Sequence, residues 1–210
     1  LSPALHRRNQ YVTVSLPSAR ELTDLGVAPA QIAVVRNGLD EAPQASLTAE
    51  RSATPRVAVL SRLVPHKQIE DALDAVAALR PWIPDLHLDI VGGGWWEQRL
   101  VDHAAALGIA DAVTFHGHIE DEAKHLVVQR SWVHLMPSRK EGWGLAVIEA
   151  AQHGVPTIGY RSSGGLTDSI VDGVTYGRQG TRPRRMLHSG RISSGRSRCA
   201  SANATAKGGW

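Results

Sequence analysis

Val57-Ala58-Val59-Leu60-Ser61-Arg62-Leu63-Val64-Pro65-His66-Lys67-Gln68-Ile69 is the stretch that settles the architecture. Its first four residues are a short apolar, β-branched run of the kind a buried strand needs. From Ile69 onward, Ile69, Ala72, Leu73, Val76 and Leu79 recur at three- and four-residue spacing until Pro81 ends the run. That periodicity predicts a helix with one buried stripe. Residues 61–68 are left as a short strand-to-helix turn, and two of them, Arg62 and Lys67, are cations.

The same unit repeats downstream. Residues 86–91 read as a second strand, closed by Gly92-Gly93-Gly94. Leu100, Val101, Ala104 and Leu107 follow at helical spacing, with Gly108 as the expected cap. Residues 113–116, 132–136 and 157–160 carry further strand signals, and 120–129, 144–153 and 165–171 carry helical ones. Strand–helix alternation of this kind predicts a Rossmann-like parallel sheet with helices on both faces.

Upstream, residues 1–36 stand apart. Residues 11–15 and 32–35 read as strands around a short helix, opened by a capping box at Ser18-Ala19-Arg20-Glu21 and ended by Gly26. This is expected to be the last βαβ piece of a preceding domain, and the leading Leu1 in place of methionine fits a chain that starts inside a longer one. Asn37-Gly38 marks a turn, and residues 37–56 form a hinge and a Pro/Ala/Ser-rich linker. The Rossmann-like domain then spans 57–177.

Composition changes abruptly near residue 178. Residues 178–210 hold seven arginines, one lysine and no acid. The rest of the chain keeps 15 of the 23 basic residues and all 20 acidic ones, so the net charge of +3 conceals an acidic body and a basic tail. The tail has too few apolar residues to offset the entropy of ordering and is expected to be disordered, the product of a shifted reading frame or misplaced gene end. No apolar run reaches the roughly 18 residues of a membrane span. The single cysteine, Cys199, excludes an internal disulfide framework. A cytoplasmic protein, or one peripheral to the inner membrane face, is the expectation.

Two motifs carry chemistry. In Glu141-Gly142-Trp143-Gly144-Leu145-Ala146-Val147-Ile148-Glu149, one glutamate precedes a helix start and the other lies two turns inside it. Gly142 and Gly144 allow close approach of backbone to ligand, and the helix start offers unpaired N–H groups to a phosphate. Carboxylates beside such a site accept hydrogen bonds from sugar hydroxyls. In the 61–68 turn, Arg62 and Lys67 bracket a helix N-terminus where a diphosphate could be held.

Together these residues resemble glycosyltransferase family 4 of the GT-B fold. The family's C-terminal donor domain carries a G-R-L-x3-K-G turn, matched here by residues 61–68, and an E-x7-E stretch, matched by Glu141 to Glu149. Val34-Val35-Arg36-Asn37-Gly38-Leu39-Asp40 is similar to the family's hinge. Val91-Gly92-Gly93-Gly94, Phe115-His116-Gly117-His118 and Ser163-Gly164-Gly165-Leu166 extend the likeness over residues 33–177.

The resemblance implies a retaining transferase taking a sugar from a UDP-, GDP- or ADP-sugar to a glycan, lipid or small-molecule acceptor. It gives Arg62, Lys67 and Glu141 the catalytic positions, the first two on the diphosphate and the third on the donor sugar. It places Gly142, Trp143, Gly144 and Leu145 along sugar and phosphate, Gly117 and Ile119 beside the base, and Glu149 on the ribose hydroxyls. No metal or other cofactor is implied, in keeping with the lack of a D-x-D sequence.

Three positions depart from the family pattern. Ser61 and Gln68 stand where the turn has glycines, and Trp143 stands for phenylalanine. The acceptor domain is represented only by residues 1–36, so this chain by itself is expected to bind donor with negligible turnover.

Other functions are disfavoured. Glu97 occupies the third-glycine position of a dinucleotide fingerprint. The ten histidines show neither H-x3-H nor H-E-x2-H spacing. No G-x-S-x-G nucleophile elbow occurs. Nucleic acid is not an expected partner, because the tail's single aromatic residue, Trp210, makes no stacking platform.

Overall fold

The computed structural model describes residues 9–171. The expectations for the first eight residues and for 172–210, including the shifted-frame tail, lie outside the described residues.

In chain order the elements are β1 (Tyr11–Thr13), α1 (Leu16–Asp24), β2 (Ile32–Val34), α2 (Gln44–Leu47), β3 (Arg56–Leu60), α3 (Ile69–Leu79), β4 (His87–Val91), α4 (Glu97–Ala106), β5 (Val113–Gly117), α5 (Asp121–Arg130), β6 (Val133–Met136), α6 (Leu145–Gln152), β7 (Thr157–Gly159) and α7 (Leu166–Ser169). Every strand and helix read from the periodicity is present, with ends displaced by a few residues. The short helix α2, inside the linker, was not expected.

One start differs for a clear reason. The capping box at Ser18 does not open α1. Ser15 is the N-cap, its hydroxyl accepting from the Ser18 amide at 3.3 Å, and Pro17 sits in the first turn. Proline is tolerated there because its missing N–H would have had no partner inside the helix. The N-cap therefore lies three residues before the box, and Ser18 becomes a donor to the true cap.

Strands β1 and β2 pair in parallel, with Tyr11 beside Ile32, and α1 connects them as a small βαβ unit. The main sheet is fully parallel in the order β5-β4-β3-β6-β7. The chain lays strands outward from β3 to β5, then crosses back so that β6 pairs with the other side of β3. That reversal, with Val57 beside Val133, creates a switch point between β3 and β6. In doubly wound sheets the crevice at the carboxyl ends of such strands receives ligands.

Strand alternation sends side chains to two cores. Val59, Leu88 and Ile90 join Ile69, Leu73 and Val76 of α3 and Leu100 and Ala104 of α4 on one face. Ala58, Leu60 and Val91 join Val128 of α5, Ala146, Val147 and Ala150 of α6 and Leu166 of α7 on the other. Each interior residue of β3 thus serves the opposite face from its neighbour, which is why this strand reads as continuously apolar.

The carboxyl ends of β3, β4 and β5 are sewn together. The Ser61 amide donates to Val91, that of Leu63 to Gly93, and that of Gly92 to Gly117, at 2.8–3.0 Å. Gly92 has φ +121°, and a β-carbon there would lie 2.0 Å from the Ser61 carbonyl oxygen. Only glycine lets β4's exit pass this close to the turn that carries Arg62.

Candidate functional site

The site lies where two strand-to-helix junctions meet at the switch point. The first runs from β3 to α3. Residues Pro65–Lys67 form a 3₁₀ turn, and Gln68 then adopts φ 49° and ψ 45° before α3 begins. This is left-handed backbone, which costs a side-chain-bearing residue about 1–2 kcal/mol. The glycine expected here from the family pattern therefore has a conformational reason, and Gln68 occupies the same backbone at a cost. α3 carries Glu70 and Asp71 in its first turn. Both carboxylates are engaged elsewhere, Glu70 by the Trp96 indole N–H at 2.5 Å and Asp71 by the Tyr160 hydroxyl at 2.7 Å.

The second junction runs from β6 to α6. Gly144 caps α6 with φ 84°, and a β-carbon on it would sit 2.6 Å from Leu166 Cδ2. α6 has no acid in its first turn and no side-chain cap. Among the described residues, the Leu145 and Ala146 amides have no acceptor. The loop before it is fixed from several sides. The Glu141 amide donates to Ser163, the Gly165 amide donates to Glu141, and Glu141 pairs with Gly164 as a parallel bridge. The Ser163 hydroxyl donates to the Ser138 carbonyl.

The junctions touch at two points. The Arg139 amide donates to the His66 carbonyl at 2.9 Å. Lys67 Nζ donates to Glu141 Oε1 at 2.5 Å, with only 13% and 11% of the two side chains exposed. Two residues that the sequence separates by most of the domain thus form one ion pair. Arg62, by contrast, is exposed and has no ion-pair or hydrogen-bond partner for its guanidinium among the described residues. The junction presents one uncommitted cation and one cation shared with a carboxylate, beside open helix amides. Such an arrangement suits a diphosphate, which attracts both cations and the helix N-terminus.

Gly117 ends β5 with its carbonyl holding the Gly92 amide, and Ile119 packs against the α5–α6 core. The 117–119 loop therefore lies at the carboxyl end of the sheet, beside the exit of β4 and the α5–α6 core. Trp143 is buried at 8% exposure, and the Arg36 guanidinium lies over its ring, 5.5 Å from the centroid. Its indole N–H has no hydrogen-bond partner among the described residues. Glu149 lies one turn below Leu145, the first residue of α6, rather than the two turns expected from the motif, and its Oε1 accepts from Lys124 Nζ of α5 at 2.7 Å.

Sequence reasoning missed Lys124 and any role for Arg36. Neither contact is local, so no spacing within α5 or the hinge could have shown it. The apolar groove of about 380 Å³ over β6 and β7, lined by Val76, Leu79, Val133, Leu135 and Ile158, has almost no polar atoms and takes no part in this constellation.

A family model described as "Glycosyl transferases group 1" matches residues 45–180. The chain is 31% identical over 170 residues to a glycogen synthase of Mycobacterium tuberculosis, across 80% of this chain and 41% of that protein. It is 38% identical over 131 residues to a GDP-mannose-dependent alpha-(1-6)-phosphatidylinositol monomannoside mannosyltransferase of Mycolicibacterium smegmatis, across 58% of this chain and 33% of that one. The chain thus spans about two fifths or less of the length of these curated relatives. Among solved structures, Anabaena Alr3699/HepE in complex with UDP-glucose superposes with a TM-score of 0.72 at 21% identity, over 85% of this chain and 52% of that one. The fold is the Rossmann-like sheet of GT-B proteins, as expected. No described helix is long and apolar enough to cross a membrane.

Proposed function

Because the chain belongs to the group 1 glycosyl transferases, we propose that it is the donor-binding, C-terminal half of a retaining, family 4 enzyme that transfers a sugar from a nucleoside-diphosphate sugar. The observation that carries this reading is the Lys67–Glu141 pair, which joins the two motifs at the switch point. In this reading Arg62 and Lys67 hold the diphosphate, and the Leu145 and Ala146 amides add the partial positive charge of a helix start.

The glycosidic bond breaks between the anomeric carbon and the phosphate oxygen, and the electron pair stays on the diphosphate. Charge therefore grows where the two cations and the amides converge, and preorganised charge of this kind lowers the barrier. No divalent metal is needed for that role. An acceptor hydroxyl then bonds to the anomeric carbon on the face the diphosphate leaves, and its proton passes to the departing phosphate oxygen, which has gained the electron pair of the broken bond. Glu141, held by Lys67, would orient the donor sugar. Gly117 and Ile119 would flank the base, and Glu149 would accept from the ribose.

The UDP-glucose complex of Anabaena Alr3699/HepE and the GDP-mannose dependence of the mannosyltransferase relative support a UDP- or GDP-linked donor, with ADP a third candidate; a glycan, lipid or small molecule would be the acceptor. The first expectation is that UDP, GDP or ADP raises the melting temperature of the chain and binds in calorimetry, whereas the bare nucleosides bind more weakly. Equal affinity for nucleoside and nucleoside diphosphate would overturn the phosphate-binding role of the two junctions.

A further inference from the structure

Lys124 lies on α5, outside both motifs, yet its ammonium bridges two carboxylates. It donates to Glu149 Oε1 at 2.7 Å and to Asp121 Oδ1 at 2.9 Å. The two carboxylates differ sharply. The Asp121 side chain is 86% exposed, whereas those of Glu149 and Lys124 are only 17% and 20% exposed. An exposed partner is freely solvated and weakly held, so the contact with structural consequence is the one to Glu149.

That contact leaves half the Glu149 carboxylate uncommitted. Its Oε2 has no hydrogen bond among the described residues. The ammonium itself has a third N–H beyond the two it donates. α5 starts two residues after Ile119, and Glu149 lies one turn below Leu145. The uncommitted oxygen and the third N–H are therefore held together where the 117–119 loop meets α6.

We infer that Lys124 is a positioning residue for nucleotide recognition: it fixes Glu149 in one rotamer through Oε1, so that Oε2 is presented to a ribose hydroxyl. This rests on the donor-site reading above. A lone glutamate in mid-helix has three side-chain torsions to immobilise before it can bind a diol, and ordering a flexible side chain at a binding surface costs affinity. Lys124 removes much of that cost before the ligand arrives. Burial would by itself pull the Lys124 ammonium's pKa down, but its hydrogen bonds to Glu149 and Asp121 raise it above the ordinary lysine value, so the cation persists at neutral pH.

The test is calorimetric titration of the full chain with UDP and GDP and with their 2′-deoxy forms. Lys124→Gln should weaken the ribonucleotides about tenfold and the deoxy forms less than threefold, while Lys124→Arg should stay within threefold of the wild type for both. Loss of equal size for ribo and deoxy forms, or no loss at all, would overturn the inference. If Lys124→Gln does not fold, the double variant Lys124→Gln/Glu149→Gln removes the unpaired charge. Its affinity for UDP should equal that of Glu149→Gln alone, because Lys124 acts only through Glu149. A further loss in the double variant overturns the role. The two readings fail differently. A wild-type chain that binds no diphosphate overturns both, whereas one that binds, loses affinity on Arg62→Ala and ignores every Lys124 change overturns this one alone.

Discussion

The β3–α3 and β6–α6 units are built alike and equipped differently. Each runs from a buried strand through a left-handed residue into a helix. At α3 that residue is Gln68, the first turn is acidic, and the turn supplies its charge through side chains. At α6 it is Gly144, the first turn has no acid, and the offering is backbone N–H. The strands differ too: Ala58 of β3 sits beside His134 of β6, and both are completely buried. One backbone plan thus makes a cationic arm and an amide cradle, and the Lys67–Glu141 pair ties them together.

Cutting that tie should have the largest effect. Lys67→Met leaves the mostly buried Glu141 carboxylate without its partner and should destabilise the chain by about 3 kcal/mol. Restoring balance with Lys67→Met/Glu141→Leu should recover most of this in urea unfolding. Recovery of stability without nucleotide binding would separate the structural from the binding role of the pair.

The strand difference is of similar size but appears only in acid. Burial lowers the His134 pKa to about 4 from an ordinary 6.5. The unfolded chain therefore takes up a proton at a pH where the folded one does not. The stability that depends on neutral His134 is complete above pH 6.5 and is lost as pH falls towards 4, about 3 kcal/mol in all. Denaturation midpoints measured across this range should fall steeply, and the slope should flatten in His134→Leu.

Arg62→Ala should act on binding alone. Its guanidinium has no protein partner among the described residues, so stability should change by less than about 0.5 kcal/mol. The affinity for UDP or GDP should fall by about 1.5–3 kcal/mol, and that for the nucleoside should hold. Equal losses for both ligands would mean that the cationic arm is not one.

The smallest effects come from exchanging the two left-handed residues. Gly144→Ala should cost about 1–3 kcal/mol through strained φ and contact with Leu166. Gln68→Gly should gain about 0.5–1 kcal/mol, the strain relieved less the greater entropy of an unfolded glycine. Chemical denaturation of the two single variants decides whether the junctions carry the same strain.

Periodicity exposed the sheet because burial on both faces writes itself into local sequence. Leu88, Ile90 and Val91 are buried and apolar, and Asp89 between them is the exception, buried at 2% exposure with Arg56 and His116 as its partners. It failed at the start of α1, where Ser15 and Ser18 both satisfy a capping rule and only Pro17's tolerance for the first turn discriminates between them. The site was legible as motifs but not as partnerships. Arg62, Lys67, Glu141 and Glu149 each stand out, yet nothing within either motif says that Lys67 meets Glu141 or that Lys124 meets Glu149. Those contacts depend on the crossover between β3 and β6 and on the packing of α5 against α6, which are long-range facts. Gln68 lies between the two cases. The glycine of the family pattern hints at unusual backbone, but only the dihedral angle shows that glutamine takes it unaided.

The crossover also has a kinetic consequence. β3 pairs with β4 across one short helix, whereas its pairing with β6, Val57 beside Val133, closes a loop that contains two other strands and three helices. Closing so long a loop costs entropy before any contact compensates for it. The β3–β4–β5 half is thus expected to assemble first, leaving one flank of β3 briefly without a neighbour and able to pair with another nascent chain. Lys67 and Glu141 come together only when β6 docks, so the crevice is expected to form after the β3–β4–β5 half.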